Sequence, residues 1–274
     1  MAIQNSINTN VGAAVALRNL NSVNNALSRT QDRVSSGLRV IGAKDNASAF
    51  AISQGIRAEI KAISAVQQGI ANGRGVAAVA LAGSTDISNL LNDIKAKVIE
   101  GLNSGNTTQQ QAIINADYAE LVGQVLNFIQ NSTFNGRNIL QSGSSNVNVI
   151  SDSSGGSLTL RAQDLEGNVF SPMNAQNLAN VSAASAALTM INSAINTLNT
   201  TLGQLGADAR ALDFQDTFLV SLLDATEEGL GSIVDADLAK ESAKLQALQV
   251  KQQLSIQSLS IANAAPQNLL ALFQ

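Results

Sequence analysis

Six acidic residues, Asp208, Asp213, Asp216, Asp224, Glu227 and Glu228, fall close together in the C-terminal half of the chain. Carboxylates in such numbers can hold a divalent cation or a basic partner. A solvated helix face accounts for them with less, because no concave apolar setting surrounds the pattern. Asp216 is the exception: it falls on an apolar helical seam, where it is expected to meet a basic residue. Asp152-Ser153-Ser154-Gly155 offers oxygen ligands for calcium, yet reads better as a hairpin turn. Gly73-Arg74-Gly75 has the glycines of a phosphate loop, but no strand precedes it and it sits inside a helical repeat, so close helix packing is expected instead. Asp235 and Asp237 stand where a helix starts, and the helix dipole explains them. Histidine and cysteine are both absent. That removes imidazole and thiolate metal sites, Ser–His and Cys–His nucleophile pairs, and disulfides. The sequence predicts no catalytic residue, no metal site and no cofactor, and hence no enzyme.

The elements that would have to position any site are helices. Of 274 residues, 45 % are hydrophobic but only 3 % aromatic, with no Trp and one Tyr. Such a core is thin and even, filled by Ala, Leu, Ile and Val along helix seams. Two prolines leave nearly the whole chain free to run as helix. The net charge of −4 gives no pull on nucleic acid. Charged residues are only 13 %, so surfaces of this kind repel one another weakly. No run of eighteen apolar residues is present to span a membrane. The start lacks a basic stretch followed by an apolar one, so no cleaved secretory signal is expected.

Spacing places the helices. Ala13, Ala16, Leu20, Val23, Leu27, Thr30 and Val34 alternate steps of three and four, with Ile3, Ile7, Val11 and Val15 as a second stripe. Gly37 reads as a C-cap, and Lys44-Asp45-Asn46 as the next N-cap. Eleven positions from Ile63 to Val98 (Ile63, Val66, Ile70, Gly73, Ala77, Ala80, Ser84, Ile87, Leu91, Ile94 and Val98) keep one seam over a helix from about 46 to 103. Thr107 and Gln110 form a capping box for a shorter helix with core face Ile114, Tyr118, Leu121, Val125 and Phe128. Residues 131–171 break the pattern, and Val147–Ile150 with Ser157–Leu160 read as a β-hairpin. After Pro172, one register runs from Val181 to Ile233; at ~1.5 Å per residue that helix is roughly 80 Å long. Past Gly229 and Gly231 the seam changes phase to Val234, Leu238, Leu245 and Leu248, while Val250, Leu254 and Ile261 line another face. The predicted fold is mainly α: a long antiparallel helical-bundle or coiled-coil rod with a small β-hairpin in mid-chain. Terminus pairs with terminus, and middle with middle. Apolar residues on two faces of each terminal helix cannot all be covered by one antiparallel partner, so burial between molecules is expected.

Three segments carry a resemblance. LSRTQDRVSSGLRVIGAKDNASAFAIS (Leu27–Ser53), FNGRNIL (Phe134–Leu140) and DADLAKESAKLQALQVKQQLSIQSLSIANAAPQNLLALF (Asp235–Phe273) are similar to the corresponding segments of bacterial flagellins, in the same order and at both ends. The resemblance implies a secreted, extracellular filament subunit that leaves the cell unfolded through the flagellar type III export machinery. Its partners would be copies of itself, an export chaperone, the filament cap and hook-junction proteins, with no nucleic acid and no membrane insertion. It implies an inner tube from residues 1–43 and 234–274, and a rod domain over 44–233 with the hairpin near 143–171. No outer variable domain has room. Leu20, Leu27, Val34, Leu38, Leu245, Leu248, Leu259, Ile261, Leu269 and Leu270 are the expected assembly interface. Ile63, Ile70, Leu91, Ile94, Leu198, Leu205 and Leu212 are the expected rod core.

One stretch departs from the family pattern. An innate toll-like receptor docks on the rod helix of many flagellins. Recognised members carry arginine where this chain has Asp93 and leucine where it has Lys97. Weak recognition is the expectation. Two other functions fit the same helices: a hook–filament junction protein, and a secreted helical adhesin or binding module that remains a stable monomer.

Overall fold

The computed structural model describes residues 9–270, with side chains through residue 264. Ile3, Ile7 and the side chains of Leu269 and Leu270 lie outside the described residues. The helices are α1 (Val11–Ser36), α2 (Ala47–Gly101), α3 (Thr108–Asn131), α4 (Ser171–Asn174), α5 (Val181–Val234) and α6 (Leu238–Leu270). One antiparallel hairpin, β1 (Val147–Ile150) and β2 (Ser157–Leu160), pairs Val147 with Leu160 and Ile150 with Ser157. The chain divides into two compact units, one of residues 1–58 with 225–274 and one of residues 59–224.

In the unit of residues 59–224, the seam of α2 is one-sided. All eleven positions from Ile63 to Val98 are buried. On α5, Ala184, Ile191, Leu198, Leu205, Leu212 and Leu219 are buried in the same core. Leu188, Ile195, Leu202 and Ala209, the alternate positions of the register, pack half-buried against it. Each fully buried aliphatic side chain contributes about 1.5–3 kcal/mol. The seven rod-core residues named from the sequence all belong to this cluster.

The shorter helix is capped as its sequence requires: Gln110 N–H donates to Thr107 Oγ1 at 3.3 Å, and Thr107 N–H to Gln110 Oε1 at 2.8 Å. Its core face holds Ile114, Tyr118 and Val125 as expected and is widened at two positions. Val122 and Ile129 are buried with Ile114, Tyr118 and Val125, whereas Leu121 and Phe128 are half-buried. The apolar stripe is broad enough for either pair to lead. Tyr118 donates its hydroxyl proton to the Met173 carbonyl at 2.7 Å, and burial pushes its pKa up to about 12. Gln111, also buried, donates to the carbonyls of Gly101 and Leu178 at 2.9 and 2.6 Å, closing the turns on either side.

Two expectations need correction here. Residues 166–174 are not irregular: Glu166–Phe170 form a π-helical turn that runs into α4. Pro172 sits in the first turn of α4, where its missing N–H costs nothing, so it does not mark the end of a loop. Gly73 and Gly75 admit close neighbours, a helix among them only at Gly73, where Leu212 Cδ1 of α5 would lie 3.5 Å from an added Cβ. A Cβ on Gly73 would lie 2.6 Å from Val149 Cγ2, and one on Gly75 would lie 2.5 Å from Phe134 Cζ. Their tighter neighbours are the hairpin and the turn Phe134–Arg137, closed by two 2.9 Å backbone bonds with Asn135 and Gly136 at φ 49° and 74°.

Candidate assembly interface

The unit of residues 1–58 and 225–274 is built around α1 packed on α6. Asn10 caps α1, its Oδ1 accepting from Ala13 N–H at 2.9 Å, and its Nδ2 donates to the Ala262 carbonyl at 2.7 Å. At the other end Gly37, at φ 73°, caps the helix by donating to the Arg33 carbonyl. The turn that follows is tied to the α5–α6 junction. Arg39 N–H donates to the Val234 carbonyl at 2.6 Å, and Ala236 N–H to the Gly37 carbonyl at 2.9 Å. Asp237 Oδ1 accepts from Lys240 N–H at 3.0 Å, which is the N-capping role expected of an acid at a helix start.

The seam of α1 runs as its spacing predicts, with Leu27 and Thr30 buried and Ala13, Ala16, Leu20, Val23 and Val34 half-buried. The seam of α6 holds Leu245 and Leu248 as its spacing predicts, with Val250, Leu254 and Ile261 on another face, but is more polar than expected. It runs through Glu241, Leu245, Leu248, Gln252, Ser255, Leu259 and Ala262, three of them polar. Arg33 meets Glu241 at 3.4 Å, and Gln252 Nε2 donates to Asn24 Oδ1 at 2.8 Å. Leu238, expected on the seam, is exposed because it stands past the end of α1.

The consequence is a surplus of apolar surface. Val250 and Leu254 are both 55 % exposed and Ile261 72 % exposed, all turned away from α1. Ile256 is exposed as well, and Val11, Val15 and Leu17 are exposed on α1. Of the assembly residues named from the sequence, Leu27 and Leu248 are buried inside this unit. Leu20, Val34, Leu38, Leu245 and Leu259 are half-buried, and Ile261 is exposed. Leu17, Leu254 and Ile256 complete the outward set. Spacing already sets Leu254, with Val250 and Ile261, on a face away from the seam, whereas Ile256 sits at the seam's edge, four residues after Gln252, and Leu17 falls outside the α1 seam.

The residues that suggested chemistry are engaged otherwise. Asp216, on its seam, meets a basic residue as expected: Arg74 bridges Asp213 at 2.7 Å and Asp216 at 2.8 Å. Arg161 holds Asp208 at 2.7 Å. Asp152 Oδ1 accepts from the Ser154 and Gly156 N–H groups at 2.7 and 3.0 Å, closing the hairpin turn. Among the described residues no group of acids is placed to hold a metal ion. None of the helices in the described residues is long and apolar enough to cross a membrane. Asp93 is exposed, and the Lys97 ammonium lies 2.9 Å from Glu100 and 3.5 Å from Asp117. The Glu100 carboxylate, by hydrogen bond and charge, with Asp117 behind it, raises the Lys97 pKa.

Paired terminal helices that leave a second set of aliphatics outside, on a fold whose acids serve packing and turns, define a helical structural subunit. The family comparisons make this specific. The chain matches the bacterial flagellin N-terminal helical region over residues 7–145, and the bacterial flagellin C-terminal helical region over 188–273. It is 35 % identical over 270 residues to flagellin FljO of Caulobacter vibrioides, covering 98 % of this chain and 99 % of that one. It is 36 % identical over 285 residues to a flagellin of Brucella melitensis, with the same coverage. The fold resembles the crystal structure of Bacillus cereus flagellin, with a TM-score of 0.52 at 20 % identity over 55 % of this chain and 88 % of that one. It also resembles a putative flagellar hook-associated protein of Vibrio parahaemolyticus, with a TM-score of 0.58 at 14 % identity over 70 % and 100 %. The chain belongs to the bacterial flagellin family, a family of structural proteins and not enzymes. It is a subunit of the polymeric, extracellular flagellar filament and serves motility.

Proposed function

We propose that this subunit polymerises through the outward faces of α1 and α6, which find their cover on neighbouring copies. The carrying observation is that Val250, Leu254, Ile256 and Ile261 stand exposed beside a seam that holds polar residues. Burial of such a face is favourable by roughly 25 cal/mol per Å², and ordering the chain ends opposes it. In this reading residues 1–43 and 234–274 form the inner tube, residues 44–233 the rod, and no outer variable domain is present. Export runs unfolded through the flagellar type III machinery, with a chaperone on the way and a cap at the growing end. Lack of cysteine suits a chain that passes from a reducing to an oxidising compartment. Asp93 and Lys97 weaken docking of the innate receptor.

Seeding tests the polymer. Monomer at moderate salt, mixed with fragments of its own filament, is expected to pellet as hollow tubes visible in the electron microscope. Monomer that stays in the supernatant would favour the adhesin reading.

A further inference from the structure

We propose that Phe214 and Phe218 of one subunit seat in the groove between α2 and the β-hairpin of a neighbouring copy. The proposal rests on the filament reading, which supplies the neighbour. In a chain with 3 % aromatic residues, Phe214 is 74 % and Phe218 58 % exposed. The other phenylalanines with described side chains, Phe50, Phe128, Phe134 and Phe170, are all half-buried. A spacing of four puts the two exposed rings on one face of α5. Two rings of this size bring about 150–250 Å² each to whatever covers them.

The hollow lies elsewhere on the same unit. Ala65, Gly69, Gly73, Phe134, Val149 and Ile150 line a groove of about 470 Å³. A Cβ on Gly69 would meet nothing within 4 Å, so its floor is open. The groove offers a ring edge in Phe134 and a guanidinium in Arg137, both good company for an incoming phenyl group. No ion pair engages Arg137 among the described residues.

The two rings cannot fill their own groove. Leu212 faces Gly73, with Cδ1 3.5 Å from where a Cβ would stand. Phe214 and Phe218 follow two and six residues later, turned roughly 200° and 240° round the helix from Leu212. Knob and hollow therefore meet only between copies, as a contact of two different surfaces. Contacts of that type, repeated without closing, build helical filaments and not closed dimers. The only neighbours repeated along a filament are copies of this chain, and that fixes the occupant.

The test uses the full-length chain. Phe214→Ala combined with Phe218→Ala empties the knob, and Gly69→Leu fills the hollow. Both changes fall on open surface, so circular dichroism and thermal melting of the monomer are expected to match wild type. Each variant is expected to raise the critical concentration for seeded polymerisation at least tenfold. The chain has no cysteine, so Ala211→Cys beside the knob and Ala65→Cys in the groove report proximity cleanly. Filaments grown from a mixture of the two single-cysteine subunits, treated with a short bis-maleimide, are expected to yield covalent dimers, and the unpolymerised mixture none. Wild-type critical concentrations for both variants, or filaments without cross-linked dimer, would overturn the knob and groove while leaving the polymer intact. Failure of the wild-type chain to polymerise would overturn both.

Discussion

Leu254→Asp is expected to leave a folded subunit that does not polymerise. Leu254 is 55 % exposed, off the seam with α1, so α1–α6 pairing and helical signal are expected to be retained. In the proposed polymer the same position is covered by a neighbouring copy. Loss of the leucine forfeits about 1.5–3 kcal/mol, and an unpaired carboxylate taken out of water costs several kcal/mol more. At 1.4 kcal/mol for each factor of ten, the critical concentration rises by more than about 10³-fold. Leu248→Asp provides the contrast. Leu248 is 9 % exposed in the seam with α1, so its replacement is expected to lower the helical signal of the monomer as well as abolish polymerisation. Circular dichroism of the two monomers, followed by a seeded pelleting assay, separates an outer-face defect from a seam defect.

Exchanging both departures in the receptor stretch is expected to raise innate recognition sharply. In the proposed reading Asp93 sets a negative charge where recognised flagellins carry arginine, and a like charge across a contact subtracts from affinity. Lys97 must leave Glu100 and Asp117 and lose water before an apolar contact can form over it. Combining Asp93→Arg with Lys97→Leu removes both obstacles. Glu100 and Asp117 are each about half exposed, so the pairs given up matter little to the fold. A cell reporter for the receptor is expected to respond to the double variant at a dose at least tenfold lower than to the natural chain. Equal response of the natural chain and a well-recognised flagellin would remove the reading of weak recognition.

How much of this was legible in the sequence depends on whether the deciding partner is local. The seam of α2 was fully legible, because its apolar residues lie on one side and every turn of the helix repeats the message. The capping box at Thr107 and the Asp152 hairpin turn were legible for the same reason: donor and acceptor are a few residues apart. The face of α3 was legible at Ile114, Tyr118 and Val125 but is widened at two positions, since Leu121, Val122, Phe128 and Ile129 give two equally apolar edges and only the docked neighbours choose between them. The π-helical turn at Glu166–Phe170 has no period long enough to read. On α6 the difficulty is physical. Its apolar residues surround the helix, and the side that faces α1 is selected by Arg33 on Glu241 and Asn24 on Gln252, pairings more than two hundred residues apart in sequence. Spacing within α6 separates Leu245 and Leu248 from Val250, Leu254 and Ile261, but carries no trace of these polar pairings.

Amide hydrogen exchange along α6, measured on dilute monomer and on filament made from it, tests the central claim most directly. If the outward aliphatics are covered only by neighbouring copies, the amides from Val250 to Ile261 exchange rapidly in the monomer, through local opening, and become strongly protected in the filament. The core amides of α2 from Ile63 to Val98 change little. Equal protection of Val250–Ile261 in the two states would show that a single subunit already shelters its own terminal helices, and would contradict assembly through these faces.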